Sequence, residues 1–186
     1  MRILKSSKIL FKSVVLIIIA FMLIAGCAKK KGDIPNINDI PKEKQGAGDV
    51  WIEPAEQTVT AGSSFTNTVH VNSGSQNLAA YGIKVIYDNK ILAVDTEKGN
   101  SGAVEGPDGF VQAVNPNVKN VLTIGGFDVG GKGPAADLNV MTLYWKAIKA
   151  GSVDMIIQVM NLVDNAYNPV GKPTGYAAKI IVNEAS

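Results

Sequence analysis

From Asp49 onward the chain consists of short runs rich in valine, isoleucine, threonine and aromatic residues, separated by glycine, asparagine, aspartate and proline. β-Branched and aromatic residues favour strands, and the intervening residue types favour turns. No stretch after residue 49 keeps an apolar helical period for three turns. The pattern therefore predicts an all-β fold, a single β-sandwich. The predicted strands are roughly 49–53, 56–60, 64–71, 78–87, 91–97, 109–114, 119–127, 138–148, 152–163 and 176–183.

Alternation of side-chain type is clearest in the segment 78–87. Successive side chains of a strand point to opposite faces, so this segment has an inward and an outward set. The inward set is Tyr81, Ile83, Val85 and Tyr87, and the outward set is Ala80, Gly82, Lys84 and Ile86. We predict that the outward set lies on a flat, mostly apolar face that binds a partner.

The strand 152–163 does not alternate, because it is apolar on both sides from Met155 to Met160. A strand with one solvated face should alternate. Either another part of the chain covers this face, or the face is an apolar patch for a partner. The sequence leaves both explanations open.

The N-terminal segment has the layout of a secretory signal. Residues 1–12 carry four basic residues and no acid, and the eleven residues from Val14 to Ile24 are all apolar. A membrane-spanning helix needs about 20 such residues, whereas a signal peptide needs fewer. Ile24-Ala25-Gly26-Cys27 resembles the bacterial lipobox, in which the cysteine is acylated and becomes the new N-terminus. We therefore predict a signal peptide over 1–26, lipidation of Cys27, and export to the cell envelope.

Cys27 is the only cysteine, so the mature domain has no disulfide. Residues 28–48 are polar and contain proline and glycine, which predicts a flexible linker. Lys29-Lys30-Lys31 either contacts anionic lipid headgroups or simply begins a soluble tether. In enteric bacteria, an aspartate directly after the lipidated cysteine resembles an inner-membrane retention signal. Residue 28 is alanine here, which favours the outer membrane or cell surface. The division is thus 1–26 signal peptide, 27–48 lipidated cysteine and linker, and 49–186 folded domain.

The charge of the folded part excludes one class of partner. Residues 49–186 hold nine lysines and thirteen acidic residues, a net charge of −4. A nucleic-acid-binding domain carries a basic patch, and none is present here. We therefore expect a protein or polysaccharide partner and no nucleic acid.

The residues that usually carry catalysis are sparse. The only histidine, His70, lies between Val69 and Val71, where we expect an outward, solvated imidazole. With Cys27 assigned to the anchor, a transition-metal site built from histidine and cysteine is excluded. The glycine-rich stretch 125–133 lacks the spacing and the following helix of a P-loop, and we interpret it as a mobile loop. We expect no catalytic residue, no metal and no cofactor.

Two further features bear on ligands. The stretch from Asp164 to Asn168 offers oxygen atoms for calcium, but a tight Asx turn explains it more simply. Sugar-binding modules stack exposed aromatic rings on pyranose faces. The candidates for such stacking are Tyr167, in the turn before Asn168, and Trp51, in the first strand; most other aromatic residues are expected in the core.

The order of these features resembles a known family. The matching segments, in chain order, are Val59–Phe65, Val69–Val71, Leu78–Asp88, Ile91–Val94, Leu143–Ser152 and Leu162–Val170. This series resembles the cohesin domain, a nine-stranded jelly-roll sandwich related in fold to family 2 and 3 carbohydrate-binding modules. The resemblance covers about residues 49–184.

The resemblance implies a non-catalytic module of about nine strands. Cohesins of cellulosomes bind dockerins through one flat sheet, whose strands here would lie near 78–87, 109–114, 119–127 and 152–163. Dockerin-binding members carry an asparagine and an aspartate on this face, at positions that hold Ala80 and Gly82 here. Loss of such polar contacts costs about 1–3 kcal/mol each, so the resemblance implies weak binding to a standard dockerin.

Two functions follow from the sequence. The first is a membrane-anchored, cohesin-like module that captures a dockerin-like protein or a polysaccharide at the cell surface. The alternative is a structural component that docks permanently in an envelope or secretion assembly through its apolar sheet. Neither function requires chemistry by this chain.

Overall fold

The structure is a computed structural model that describes Asn36, Asn38 and residues 45–185. The predicted signal peptide, Cys27 and most of the predicted linker lie outside the described residues. Among the residues that are described, no helix has the length and apolar character needed to cross a membrane.

The described domain is built from strands that form two sheets. Its strands are β1 (Asp49–Glu53), β2 (Glu56–Thr60), β3 (Ser64–Val71), β4 (Leu78–Ile86), β5 (Leu92–Val94), β6 (Ala103–Glu105), β7 (Ala113–Val118), β8 (Val121–Lys132), β9 (Leu138–Ala147), β10 (Gly151–Asp164), β11 (Thr174–Gly175) and β12 (Ala177–Asn183). The first sheet has the order β11-β1-β3-β9-β5, with β6 also paired to β9. The second sheet has the order β2-β12-β10-β4-β8-β7. The predicted all-β sandwich is confirmed.

The core lies between the two sheets and follows from the alternation of each strand. On β4, the predicted inward residues Tyr81, Ile83 and Val85 are buried in it. Trp145 of β9 is fully buried in the same cluster and meets the Tyr87 ring edge-on. Burial of these side chains, each contributing about 1.5–3 kcal/mol, stabilises a domain whose described residues contain no cysteine.

The structure contains two short strands that the sequence did not predict, and one predicted strand begins later than expected. Strands β6 and β11 are three and two residues long and were not predicted. They exist because their backbones pair with β9 and β1, which no local pattern reveals. The predicted strand 109–114 begins only at Ala113.

The glycine-rich stretch predicted as a mobile loop is largely strand. Residues 125–132 belong to β8, which pairs antiparallel with β4. A Cβ on Gly126 would lie 2.2 Å from the carbonyl oxygen of Phe110. Glycine at position 126 therefore permits the close approach of the Phe110 backbone.

The domain extends a few residues before the predicted boundary at residue 49. The backbone N–H of Gly48 donates to the Asn72 carbonyl, and the carbonyl of Ala47 accepts from Lys172. Farther upstream, Asn36 forms an isolated bridge with Ala177. Part of the predicted linker is thus hydrogen-bonded to the sandwich.

Candidate functional site

The predicted binding residues lie together on the outer face of the second sheet. Ala80, Gly82, Lys84 and Ile86 all point away from the core, because Tyr81, Ile83 and Val85 occupy the opposite side of β4. Their neighbours come from β8 and β10, which flank β4. The residues on this side of the second sheet are called the outer face below.

The centre of the outer face is polar. Lys84 pairs with Thr123 of β8 and with Gln158 of β10, and Thr123 pairs in turn with Asn115 of β7. The prediction of a mostly apolar face is therefore wrong at its centre. The sequence of β4 alone could not show this, because three of the four side chains belong to other strands.

One end of the outer face is apolar and exposed. Ala80 lies between Phe127 of β8 and Val163 of β10. Phe127 is 58% exposed, and Val129 and Tyr167 beside it are 85% and 89% exposed. Ala80, Val163 and these three residues line a shallow cavity of about 100 Å³. They are called the apolar end below.

A tight turn holds Tyr167 at this position. Asp164 Oδ1 accepts hydrogen bonds from the backbone N–H groups of Ala166 and Asn168, at 2.9 and 2.8 Å. Its Oδ2 accepts from Gln76 Nε2 at 3.0 Å and from Asn168 Nδ2 at 3.3 Å. These hydrogen bonds, above all that from the Asn168 backbone, lower the pKa of Asp164. The bond from Ala166 to Oδ1 confirms the predicted Asx turn, and further donors engage both carboxylate oxygens.

Tyr167 itself adopts a backbone conformation that is unusual for its residue type. Its φ is +64°, in the left-handed region, where a non-glycine residue is strained. Strain of this kind is concentrated at functional positions. The tyrosine that sequence analysis proposed as an exposed aromatic is therefore both exposed and held in a costly conformation.

A β-bulge explains the apolar pattern of β10. The register with β4 shifts between Val159 and Asn161, so that Met160 is the extra residue. Met155 and Ile157 point into the core, whereas Met160 is 49% exposed near Gly82. The strand is apolar on both sides because one side is core and the other adds to the outer face.

The opposite end of the outer face is a wider groove. Ile86 lies there in a cavity of about 530 Å³, which Tyr87, Val153, Ile156, Lys90 and Lys119 also line. The four predicted binding residues thus run from the apolar end, at Ala80, to this groove, at Ile86. In the part of the chain that is described, no segment covers Phe127, Val129 or Tyr167.

Trp51 and His70 correct two predictions on the other side of the molecule. Both lie on the outer side of the first sheet and are directly paired across β1 and β3. Trp51 is only 5% exposed and His70 only 7%. Their rings stack with centroids 5.5 Å apart, and Trp51 also packs with Ala55 and Tyr176. Trp51 is therefore unavailable for stacking on a sugar. The prediction of a solvated His70 imidazole is wrong, because the residue is buried.

His70 is also surrounded by oxygen atoms from distant parts of the chain. Its Nδ1 lies 2.6 Å from Asp137 Oδ1, and its Nε2 lies 2.9 Å from Thr68 Oγ1 and 3.7 Å from Glu53 Oε2. Sequence reasoning missed Glu53 and Asp137 as neighbours of His70. Their separation in sequence carried no signal of this contact.

Comparisons with known proteins point to one fold. No protein-family model matches the sequence, and no curated protein matches it. A non-cellulosomal cohesin from the archaeon Archaeoglobus fulgidus matches with a TM-score of 0.58 at 14% identity, over 73% of this chain and 90% of that one. A cohesin module from a Clostridium perfringens family 33 glycoside hydrolase matches with a TM-score of 0.59 at 11% identity, over 75% and 98%.

A third similar structure contains a partner. A type I cohesin–dockerin complex from Clostridium thermocellum matches with a TM-score of 0.55 at 15% identity, over 74% of this chain and 94% of that one. At such identities a structural match establishes the fold and leaves the ligand open. The two-sheet topology and these matches agree with the resemblance found in the sequence, and the described domain is a cohesin-like β-sandwich.

Proposed function

We propose that this protein is an exported, lipid-anchored, non-catalytic cohesin-like module that captures a protein partner on the outer face of its second sheet. The observation that carries the proposal is the apolar end, where Phe127, Val129 and Tyr167 are all more than half exposed. Exposed apolar residues scattered singly are ordinary, whereas a contiguous group marks an interaction surface.

The outer face has the composition of a protein-binding surface. Aromatic residues and methionine are enriched at interfaces, and Phe127, Tyr167 and Met160 supply them here. The polar centre around Lys84 would fix the orientation of the partner, because each polar group there needs a matched donor or acceptor. The apolar end supplies the affinity and the centre supplies the specificity.

The partner should differ from a standard dockerin. Ala80 and Gly82 stand where the resemblance places a hydrogen-bonding pair, and a Cβ on Gly82 would meet Asn161 Oδ1 at 2.5 Å. Apolar contacts beside Ala80 replace those hydrogen bonds. We propose a dockerin-like or other protein ligand with an apolar anchor that fits the cavity between Phe127 and Tyr167.

Anchoring is the second half of the proposed function. Its support is the lipobox-like Ile24-Ala25-Gly26-Cys27 and the polar linker that follows. Growth of the source cells with an alkyne fatty acid should label the wild-type protein, whereas Cys27→Ser should remain unlabelled and leave the membrane fraction. Equal labelling of both proteins would refute the anchor.

Site-specific photo-cross-linking tests the binding face. A photoreactive phenylalanine analogue replaces Phe127 in the full chain, expressed in its own cells. In the control protein the same analogue replaces Thr66, which is exposed on the first sheet. We expect one discrete cross-linked protein from position 127 and none from position 66. Phe127→Asp with Tyr167→Asp should abolish capture of that protein by the unmodified chain. Equal cross-linking from both positions would refute the proposal.

The same variants distinguish two other readings. Gel retardation by polysaccharides that depends on Tyr167 would favour a glycan ligand, which the exposure of this ring supports, although burial of Trp51 removes its second candidate. A partner that never dissociates during native purification would favour the structural alternative. In that case Ala80→Asp should separate the two proteins.

A further inference from the structure

The surroundings of His70 on the first sheet form a compact group of metal-ligating side chains. Glu53 ends β1, His70 lies on β3, and Asp137 immediately precedes β9. One ligating atom from each of the three lies within 4.8 Å of the others. The imidazole is buried, while the side chains of Glu53 and Asp137 are 50% and 59% exposed, so solvent and ions reach the group from one side.

Asp137 determines which imidazole nitrogen is free to bind. An ionised carboxylate only accepts hydrogen bonds, so the 2.6 Å contact assigns the proton to Nδ1. Nε2 then carries the lone pair and accepts a hydrogen bond from the Thr68 hydroxyl at 2.9 Å, and it lies 3.7 Å from Glu53 Oε2. An ion would take the place of that hydroxyl hydrogen. A carboxylate on one nitrogen with the other nitrogen directed at an ion is the arrangement of histidine ligands in metalloproteins.

Glu53 is oriented toward the same point. Trp51 Nε1 donates to Glu53 Oε1 at 2.9 Å, while Oε2 lies 3.7 Å from His70 Nε2. An ion about 2.1 Å from each atom would fit between Nε2 and Oε2. Two carboxylates flank one imidazole, and in the described part of the chain no lysine or arginine pairs with either carboxylate. The local charge therefore favours a cation.

We propose that His70 and Glu53 bind a divalent transition-metal ion of the zinc or copper class, with Asp137 orienting the imidazole from behind. Imidazole with carboxylate suits zinc and copper, whereas calcium and magnesium prefer oxygen ligands alone. The Thr68 hydroxyl and water complete the coordination. This site is independent of the outer face, and its function would be to join the end of β1 to β3, while Asp137 connects the start of β9 to the ligand imidazole.

Tryptophan fluorescence gives a direct readout. The indole of Trp51 stacks on His70, so Cu²⁺ at Nε2 should quench it strongly, whereas Trp145 is sealed in the core. The experiment titrates the full chain in detergent with Cu²⁺, then displaces Cu²⁺ with Zn²⁺. We expect saturation at one equivalent and recovery of the fluorescence by zinc, and Trp51→Phe should lose the quenched component.

Matched variants identify the ligands. His70→Asn and Glu53→Gln should each weaken Cu²⁺ binding at least tenfold, and Asp137→Asn about 10–100-fold, as expected for a group that orients a ligand. Glu97→Gln, which alters the exposed ion pair with Lys146, should leave binding unchanged. Because Glu53 is half-exposed, its variant should fold even if the histidine variant does not. Quenching that is absent, that never saturates, or that persists unchanged in Glu53→Gln would overturn the proposal.

Discussion

Gly82 of β4 lies opposite Asn161 of β10, and the Asn161 side chain occupies the space that a Cβ on Gly82 would need, at 2.5 Å from its Oδ1. On the other side of β4, Gly125 also pairs with Gly82, but a Cβ on Gly125 would have its nearest contact at 3.7 Å. The Asn161 side chain therefore requires glycine at position 82, whereas position 125 has space for a Cβ.

We expect Gly82→Ala and Gly125→Ala to differ in sign. Replacing glycine in a strand reduces the entropy of the unfolded chain, so Gly125→Ala should be stabilising by about 0.4–1 kcal/mol. Gly82→Ala must displace Asn161 and should be less stable than Gly125→Ala by about 1 kcal/mol. Urea denaturation measures both, and the double variant Gly82→Ala with Asn161→Ala should recover the difference. Equal stability of the two single variants would contradict the assigned contact.

Tyr167→Gly should separate stability from binding. Glycine adopts a φ of +64° without the steric cost that tyrosine has there, a gain of about 1 kcal/mol in the free energy of unfolding. The same change removes the most exposed ring of the apolar end. We expect a higher melting temperature with weaker capture of the cross-linked partner. Ser101, which has a φ of +51° and lies in the turn that leads into β6 of the first sheet, provides the control: Ser101→Gly should not weaken capture.

The Asp164 turn should give the domain an acid-sensitive component. Because hydrogen bonds lower the pKa of Asp164 in the folded state, its contribution to stability is present above the ordinary carboxyl pKa of about 4. It is lost as the pH falls below that value through the lower folded pKa. Asp164→Asn should be less stable at neutral pH, because its amide N–H groups would face the donors of Gln76 and Asn168.

Urea midpoints between pH 2 and pH 7 measure this effect. The difference between wild type and Asp164→Asn should shrink as the pH falls. A difference that stays constant over the whole range would show that the carboxylate charge makes no contribution.

Two buried tyrosines should respond differently to loss of the hydroxyl. Tyr81 donates to the carbonyl of Phe110, whereas the Tyr87 hydroxyl has no hydrogen-bond partner among the described residues. Tyr81→Phe should cost about 1–2 kcal/mol, because it leaves a buried carbonyl unpaired, and Tyr87→Phe should change stability by less than about 0.5 kcal/mol.

The loss of stability at alkaline pH, measured for the same two variants, tests the role of Tyr81 ionisation. Burial raises the pKa of Tyr81, and the charge of Glu105 adds to the effect. A phenol whose folded pKa is raised stabilises the fold fully below its ordinary pKa of about 10, and this contribution is lost as the pH rises beyond it. Tyr81→Phe should flatten that loss. If both variants keep the wild-type slope, ionisation of Tyr81 is not its cause.

The local sequence pattern was sufficient to predict much of the sandwich. β1, β2 and β3 begin and end where the sequence predicted, and the alternation of β4 correctly separated Tyr81, Ile83 and Val85 from Ala80. It succeeded because a strand with one buried face repeats every two residues, and that period is visible in a single segment. The Asx turn at Asp164 was predicted for the same reason, since its hydrogen bonds join near neighbours.

The functional surfaces needed the tertiary structure. The sequence predicted a mobile loop for the glycine-rich stretch that contains Phe127 and Val129. Only the pairing of β8 with β4 brings them beside Ala80. His70 was expected in solvent, and only the pairing of β3 with β1 stacks it on Trp51 and brings Glu53 and Asp137 around it. Sequence by itself determined which side of β4 faces the core. Tertiary structure decided what lies beside each outward residue, because cross-strand neighbours are set by register between segments distant in the chain.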